Sequence, residues 1–240
     1  MTDRYSPCLA GDGIDPNILG EIAAKHGFDL CAVDQSAQKG GVLLMGEVDA
    51  ERLTADMNMP FVAYIEYADG LTNFSETCQR TTKKGGLYVA LSTSTAFFIE
   101  LAGIFCRELK KRAAWPEEKM DDIELAVHEA LANALIHGNL ETGSELRQST
   151  DKFLIYCQTL SSRLLDPAFA QRRVEVAATW DTNTLEIIIG DEGSGYCPKK
   201  INSVINGEAK SGRGIAIIQS LTDHVYVDEN GRNFTMLFKK

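Results

Sequence analysis

Glu129 and Asn133 lie four residues apart in the run Asp122-Ile-Glu-Leu-Ala-Val-His-Glu129-Ala-Leu-Ala-Asn133-Ala-Leu-Ile-His137-Gly138-Asn139. The run is rich in Ala and Leu, has no Gly or Pro before Gly138, and predicts a helix ending at a glycine C-cap. At about 100° per residue, Asp121, Glu124 and His128 form a polar strip, whereas Glu129 and Asn133 stand together among Leu125, Ala126, Ala132 and Ile136. A buried amide without a partner costs roughly 1–3 kcal/mol and a charge costs more, so something polar must meet this pair. Two readings follow from the helix alone. Neighbouring protein groups satisfy the pair inside a core, or Asn133 holds a hard cation through its amide oxygen while Glu129 handles a proton. A zinc site of the H-E-x-x-H kind is excluded, because Ala132 stands where its second histidine would be.

Two glycine motifs lie downstream. The apolar run Leu185 to Ile189 enters Gly190-Asp191-Glu192-Gly193-Ser194-Gly195. An aspartate at a strand end can accept a hydrogen bond from an exocyclic amine, and glycines beside it let a ligand approach the backbone, although the same residues also suit a tight turn. Lys210-Ser-Gly212-Arg213-Gly214 then opens an apolar helix through Leu221, and free N–H groups at such a start suit an anion. Tyr196 to Lys210, between the motifs, has the irregular pattern of a lid.

The elements that would position these residues read as follows. Leu87–Leu91 alternates into a strand, and Ser92 to Thr95 caps a long helix from Ala96 to about Ala113, with Phe97, Leu101, Ile104 and Phe105 as its core stripe. Lys110, Lys111 and Arg112 complement that helix's dipole. Residues 139 to 173 form an insertion with one amphipathic helix near Lys152 to Leu164. Val174–Trp180 and Leu185–Ile189 make a hairpin, and strands at His224–Asp228 and Asn233–Lys239 close the chain. Upstream, residues 1–86 alternate short apolar runs with helical ones, as an α/β unit does. The order β-α-β-β-α-β-α resembles a response-regulator receiver domain lacking its second helix. The third strand ends Leu44-Met45-Gly46, without the aspartate that such a domain phosphorylates, and Asp12 and Asp15 are poor substitutes. This segment is expected to dock or dimerise rather than switch by phosphorylation.

The three motifs in this order, an acid and an asparagine on a helix, strand-Asp-x-Gly-x-Gly, then Gly-x-Gly-helix, resemble the GHKL ATPase superfamily of gyrase and the sensor kinases. Within it the helix is most similar to the anti-sigma-factor serine/threonine kinases, whose pattern Glu-Ala-x-x-Asn-Ala-x-x-His-Gly is matched from Glu129 to Gly138. The resemblance covers 87–240 and implies a two-layer α/β sandwich of the Bergerat type, a mixed sheet with helices on one face, after the small receiver-like domain. It implies that Asn133 binds Mg²⁺ bridging the phosphates of ATP and that Asp191 reads the adenine amine. Gly193 and Gly195 would shape the adenine side, Gly212 and Gly214 would face the phosphates with Lys210 and Arg213 as charge partners, and Glu129 would be the general base. His137 would be a helix-end hydrogen bonder. The implied function is a kinase of a bacterial partner-switching pathway, acting on a STAS-type anti-anti-sigma protein, with a sigma factor or another regulator as further partner. The alternative is an ATP-gated scaffold without phosphotransfer. A sensor histidine kinase is disfavoured, since only His26 lies upstream and His128 overlaps the acid. The family's Gly-Thr pair is replaced by Gly231-Arg232-Asn233, which leaves the second adenine contact open.

Bulk properties bound these readings. The 240 residues are 44% hydrophobic and carry a net charge of -10, with no basic stripe for nucleic acid. Six cysteines, at 8, 31, 78, 106, 157 and 197, show no metal spacing and read as reduced thiols. With no apolar leader and no long apolar run, the expectation is a cytoplasmic protein off the membrane, with homodimerisation left open.

Overall fold

The computed structural model describes residues 7–33, 40–68, 73–142, 150–195, 213–228 and 230–240. Met1–Ala90 with Ala177–Thr179 form one compact unit, and Leu91–Val176 with Trp180–Lys240 form the other.

In the first unit, β1 (Cys8–Asp12), β2 (Asp29–Leu30), β3 (Val42–Met45), β4 (Ala63–Glu66) and β5 (Leu87–Ser92) lie in the order β2-β1-β3-β4-β5. All four pairings are parallel, with Leu9 opposite Val42 and Leu43 opposite Tyr64. Helices α1 (Pro16–His26), α2 (Ala50–Met57) and α3 (Glu76–Lys84) make the crossovers that parallel pairing demands. Their ends follow local chemistry: Asp15, Asp49 and Ser75 cap the N-termini, and Gly27 and Gly85 adopt left-handed φ of 70° and 69° at the C-termini. β1, β3, β4 and β5 are largely buried on both faces, and for that reason they read as apolar runs, whereas both residues of the edge strand β2 are exposed. The expected strand Leu30–Val33 shrinks to Asp29–Leu30 at the sheet edge. Asp12, at the end of β1, is gripped by Arg52 at 2.7 Å, and Asp15 caps Asn17 N–H, so both acids already serve the unit's own structure.

One expectation fails here. Cys8 and Cys31 form a disulfide, with Cα atoms 5.9 Å apart, where reduced thiols were expected. The cause is the edge pairing of β1 with β2: Cys8 opposes Asp29, and Cys31 N–H donates to the Leu9 carbonyl. Sequence spacing carries no trace of that adjacency.

The second unit is a mixed α/β sandwich. Its sheet runs β6 (Arg173–Trp180), β7 (Thr184–Asp191), β9 (Asn233–Lys239), β8 (His224–Val227), with β9 antiparallel to both neighbours. Val174, Val176, Leu185, Ile187, Ile189, Phe234, Met236 and Phe238 point to one side and are buried, in the period of two that strands require. The helices are α4 (Thr93–Phe98), α5 (Leu101–Ala113), α6 (Glu117–Ala132), α7 (Thr150–Leu165), α8 (Pro167–Ala170) and α9 (Arg213–Leu221). The long helix expected from Ala96 is broken, because Ile99 is extended at φ -111°, ψ 152°. Leu101, Ile104 and Phe105 are core as expected, but Phe97 on the other side of the break is only half-buried.

The central helix also departs from expectation. Instead of stopping at Gly138, α6 widens into a π-helical turn, Asn133–Asn139, and Leu140 N–H bonds to the Leu135 carbonyl five residues back. No helix among the described residues is long and apolar enough to cross a membrane.

Candidate functional site

Helix α6 carries Glu129 in its last turn, and Asn133 begins the π-helical turn one helical turn later. Both are half-buried rather than enclosed, and the reason lies in what faces them. Helix α9 packs against α6, and its second residue is Gly214. A Cβ at 214 would stand 2.7 Å from Glu129 Oε2 and 3.4 Å from Asn133 Nδ2. The absence of a side chain there lets α9 approach the acid and the amide more closely than any larger residue would allow.

The other end of the same segment meets Asp191. The carboxylate of Asp191, at the end of β7, lies so close to Gly138 that a Cβ on Gly138 would be 2.5 Å from its Cγ. A Cβ on Gly193 would in turn be 2.2 Å from the Gly138 carbonyl oxygen. Gly195, at φ 81°, could carry no Cβ without striking the Asn230 carbonyl at 2.3 Å. These glycines serve close approach of the protein's own backbone, whatever ligand they also admit.

Asp191 is 8% exposed, and its Oδ1 accepts the Gly193 N–H at 2.9 Å. Burial pushes its carboxyl up to about 6, against the lowering effect of that N–H and of Arg232 and Arg172. A carboxylate at a strand end can accept a hydrogen bond from a neutral donor such as an amine. A cavity of about 160 Å³ is bordered by Glu175, Gly190 and Asn233 on the face of β7 that Gly190 presents, opposite the face on which the Asp191 carboxylate meets Gly138. Asn233, at the entry to the last strand, donates from Nδ2 to Asp228 Oδ2. A larger apolar cavity of about 410 Å³, lined by Phe97, His128, Leu131 and Leu135, lies on a different face of α6 from Glu129 and Asn133 and plays no part in this arrangement.

The structure therefore brings Glu129, Asn133 and Gly214 together, and separately Asp191, Gly193 and Gly138, on one continuous helical segment. Arg213 opens α9, but its side chain lies outside the described residues, as do Lys210, Gly212 and the expected lid from Tyr196. Of the insertion, residues 143–149 are likewise outside them. His137 Nδ1 pairs with the Thr142 carbonyl at 2.6 Å. Among the described residues no group of three or more His, Cys, Asp or Glu could hold a metal ion.

The sequence reading gave Asn139 no place in the site. It directly follows the recognised motif, and its polar side chain past a glycine was the available signal. In the structure it is wholly buried and bonded to the turn that holds Asp191.

Comparison with known proteins adds one finding. A family model described as a histidine kinase-like ATPase domain matches residues 99–238, more than half of the chain, and no curated protein matches it. A buried aspartate at a strand end, an acid and amide on the helix beside it, and glycine-mediated contact between them accompany that match, and the chain belongs to the histidine kinase-like ATPase domain family.

Proposed function

We propose that this protein is an ATP- and Mg²⁺-dependent serine/threonine protein kinase of the anti-sigma-factor type, phosphorylating a STAS-type regulator in a partner-switching pathway. The observation that supports it most is the convergence of three separated glycine and acid motifs on one helical segment, with Gly214 against Glu129 and Asn133 and Asp191 against Gly138. The residues fit the nucleotide they would receive. Asp191 stands at a strand end with a carboxylate that can accept a hydrogen bond from an amine, and Gly214 brings the start of α9 directly against the acid and the amide.

In this reading Asp191 accepts a hydrogen bond from the adenine amine, and Asn133 supplies an amide oxygen to the cation. The metal, when bound, neutralises charge on the phosphates. Gly193 and Gly195 shape the adenine side, while Gly212, Gly214, Lys210 and Arg213 serve the phosphates. Glu129, half-buried and so reachable from outside, takes the proton of a serine or threonine hydroxyl. The hydroxyl oxygen bonds to the terminal phosphorus as that phosphorus parts from the bridging oxygen, leaving ADP.

The test is phosphotransfer from radiolabelled ATP to STAS-type partners. Glu129→Ala should keep nucleotide binding and abolish transfer, and Asn133→Ala should lose the metal dependence of binding. A wild-type chain that binds ATP but labels no such partner, while holding a partner in an ATP-dependent way that survives Glu129→Gln, would replace the kinase by a scaffold.

A further inference from the structure

Asn139 is the last residue of the π-helical turn, with 0% of its surface exposed. Its amide is fully used. Nδ2 donates to Thr93 Oγ1 at 2.8 Å and to the Arg173 carbonyl at 2.9 Å, while Oδ1 accepts the Glu192 N–H at 2.7 Å. The partners fix which way the amide points, since only its oxygen can meet an N–H and only its nitrogen a carbonyl. Its backbone carbonyl accepts a further bond from Arg172 Nη1 at 2.7 Å. Around it, Thr93 Oγ1 donates to the Arg172 carbonyl, and the Glu192 carboxylate accepts the Arg173 N–H.

The position of this bracket matters more than its number of bonds. On one side Asn139 is joined covalently to Gly138, whose Cα faces the Asp191 carboxylate. On the other it holds the N–H of Glu192, the residue that follows Asp191. It therefore grips both partners of the Gly138–Asp191 contact. Among the described residues, the Gly193 N–H to Asp191 Oδ1, the Asp191 N–H to the Arg232 carbonyl and the Arg173 N–H to the Glu192 carboxylate also hold this turn, and none of the three reaches the central helix.

We propose that Asn139 is the positioning residue of the Asp191 turn: by holding the Glu192 N–H it sets where Asp191 presents its carboxylate, and so how strongly the site prefers a purine bearing an exocyclic amine. This rests on the nucleotide reading given above. A loss of general stability weakens all nucleotides alike, whereas a misplaced Asp191 weakens only those whose amine it reads.

The experiment compares ATP with inosine triphosphate, which carries a carbonyl in place of the amine, on the full chain. Wild type, Asn139→Ala and the core control Ile123→Val are titrated with both, and their melting temperatures are recorded. Wild type should prefer ATP, and Asn139→Ala should lose about tenfold of that preference through weaker ATP binding, as expected for one lost hydrogen bond to a well-placed group. Ile123→Val, which trims a fully buried side chain of α6, should melt lower and keep the wild-type ratio. An unchanged ratio in Asn139→Ala overturns the proposal, as does a wild type that binds both nucleotides equally. If Asn139→Ala does not fold, amide exchange in the wild type decides. A Glu192 N–H protected like the α6 core supports the bracket, and one exchanging like exposed Thr182 overturns it. A wild type that binds neither nucleotide breaks the parent reading, while the Glu192 exchange still reports whether Asn139 holds the turn.

Discussion

Gly138 and Asp191 approach more closely than any side chain at 138 would permit: a Cβ there would sit 2.5 Å from the carboxylate carbon and from one of its oxygens. Asp191 cannot swing aside freely, because Gly193 N–H holds its Oδ1 and its own N–H is bonded to the Arg232 carbonyl. Gly138→Ala must therefore push the turn away from the helix. Overpacking of this kind costs about 1–3 kcal/mol. Chemical denaturation should show a lowered midpoint, and fluorescent ATP analogue binding should weaken together with it.

Gly214→Ala should behave differently, although its clash at 2.7 Å looks similar. The atom met is Glu129 Oε2, the free end of a flexible and half-buried side chain, so the fold can yield at a cost of about 1 kcal/mol or less. What moves is the acid that the proposed mechanism needs in place. Misplacing a reacting group by about an ångström can cost on the order of a hundredfold in rate. The expected outcome is a near wild-type melting curve with phosphotransfer reduced at least tenfold. A variant that melts far lower but transfers normally would contradict both halves of this expectation.

These two glycines show what sequence can and cannot convey. The helical period placed Glu129 beside Asn133, and the strand period placed Asp191 at a strand end, because both depend only on local geometry. That Gly214 faces the first pair and Gly138 faces Asp191 depends on how distant elements pack, and only the motif resemblance hinted at it. The π-helical turn, the break at Ile99 and the Asn139 bracket were illegible for the same reason. Asn139 is bonded to residues 93, 173 and 192, none of them near it in the chain. In the first unit, apolar runs located β1, β3, β4 and β5, but the two-residue β2 has exposed side chains and so lacks the signal those runs gave.

Asp191 should give the protein a measurable pH response. Its carboxyl is raised to about 6 from an ordinary 3.8, so the folded state binds this proton more tightly than the unfolded chain. The stabilisation is complete below about pH 4 and is lost as the pH rises through about 6. The difference between the two ends is worth roughly 3 kcal/mol. Asp191→Asn, which mimics the neutral form, should therefore raise the melting temperature at pH 8 and leave it nearly unchanged at pH 4. Nucleotide binding should run the opposite way in the wild type, weakening as acid protonates the acceptor below about pH 6. Asp191→Asn should abolish that slope along with most of the ATP affinity.

The Cys8–Cys31 disulfide makes the first unit sensitive to reductant. It ties β1 to the end of β2 across a sequence separation of 23 residues. A cross-link closing a loop of that length removes unfolded-state entropy worth about 3 kcal/mol, if the folded geometry tolerates it. The edge strand has few other holds, since β2 pairs with β1 through two residue pairs and both its residues are exposed. Reduction with a dithiol should consequently lower the melting temperature and open β2 first, seen as faster amide exchange at Leu30 and Cys31. Cys31→Ser should reproduce the reduced behaviour without further response to the dithiol. Cys78 and Cys106 are buried and Cys157 is half-buried, and Cys106 is pushed up to about 12 by burial, so alkylation of the folded protein should report mainly Cys157 among the described cysteines before reduction, and Cys31 as well after it. Equal melting with and without reductant, with Cys31 labelled in both, would show that the bond does not form in solution.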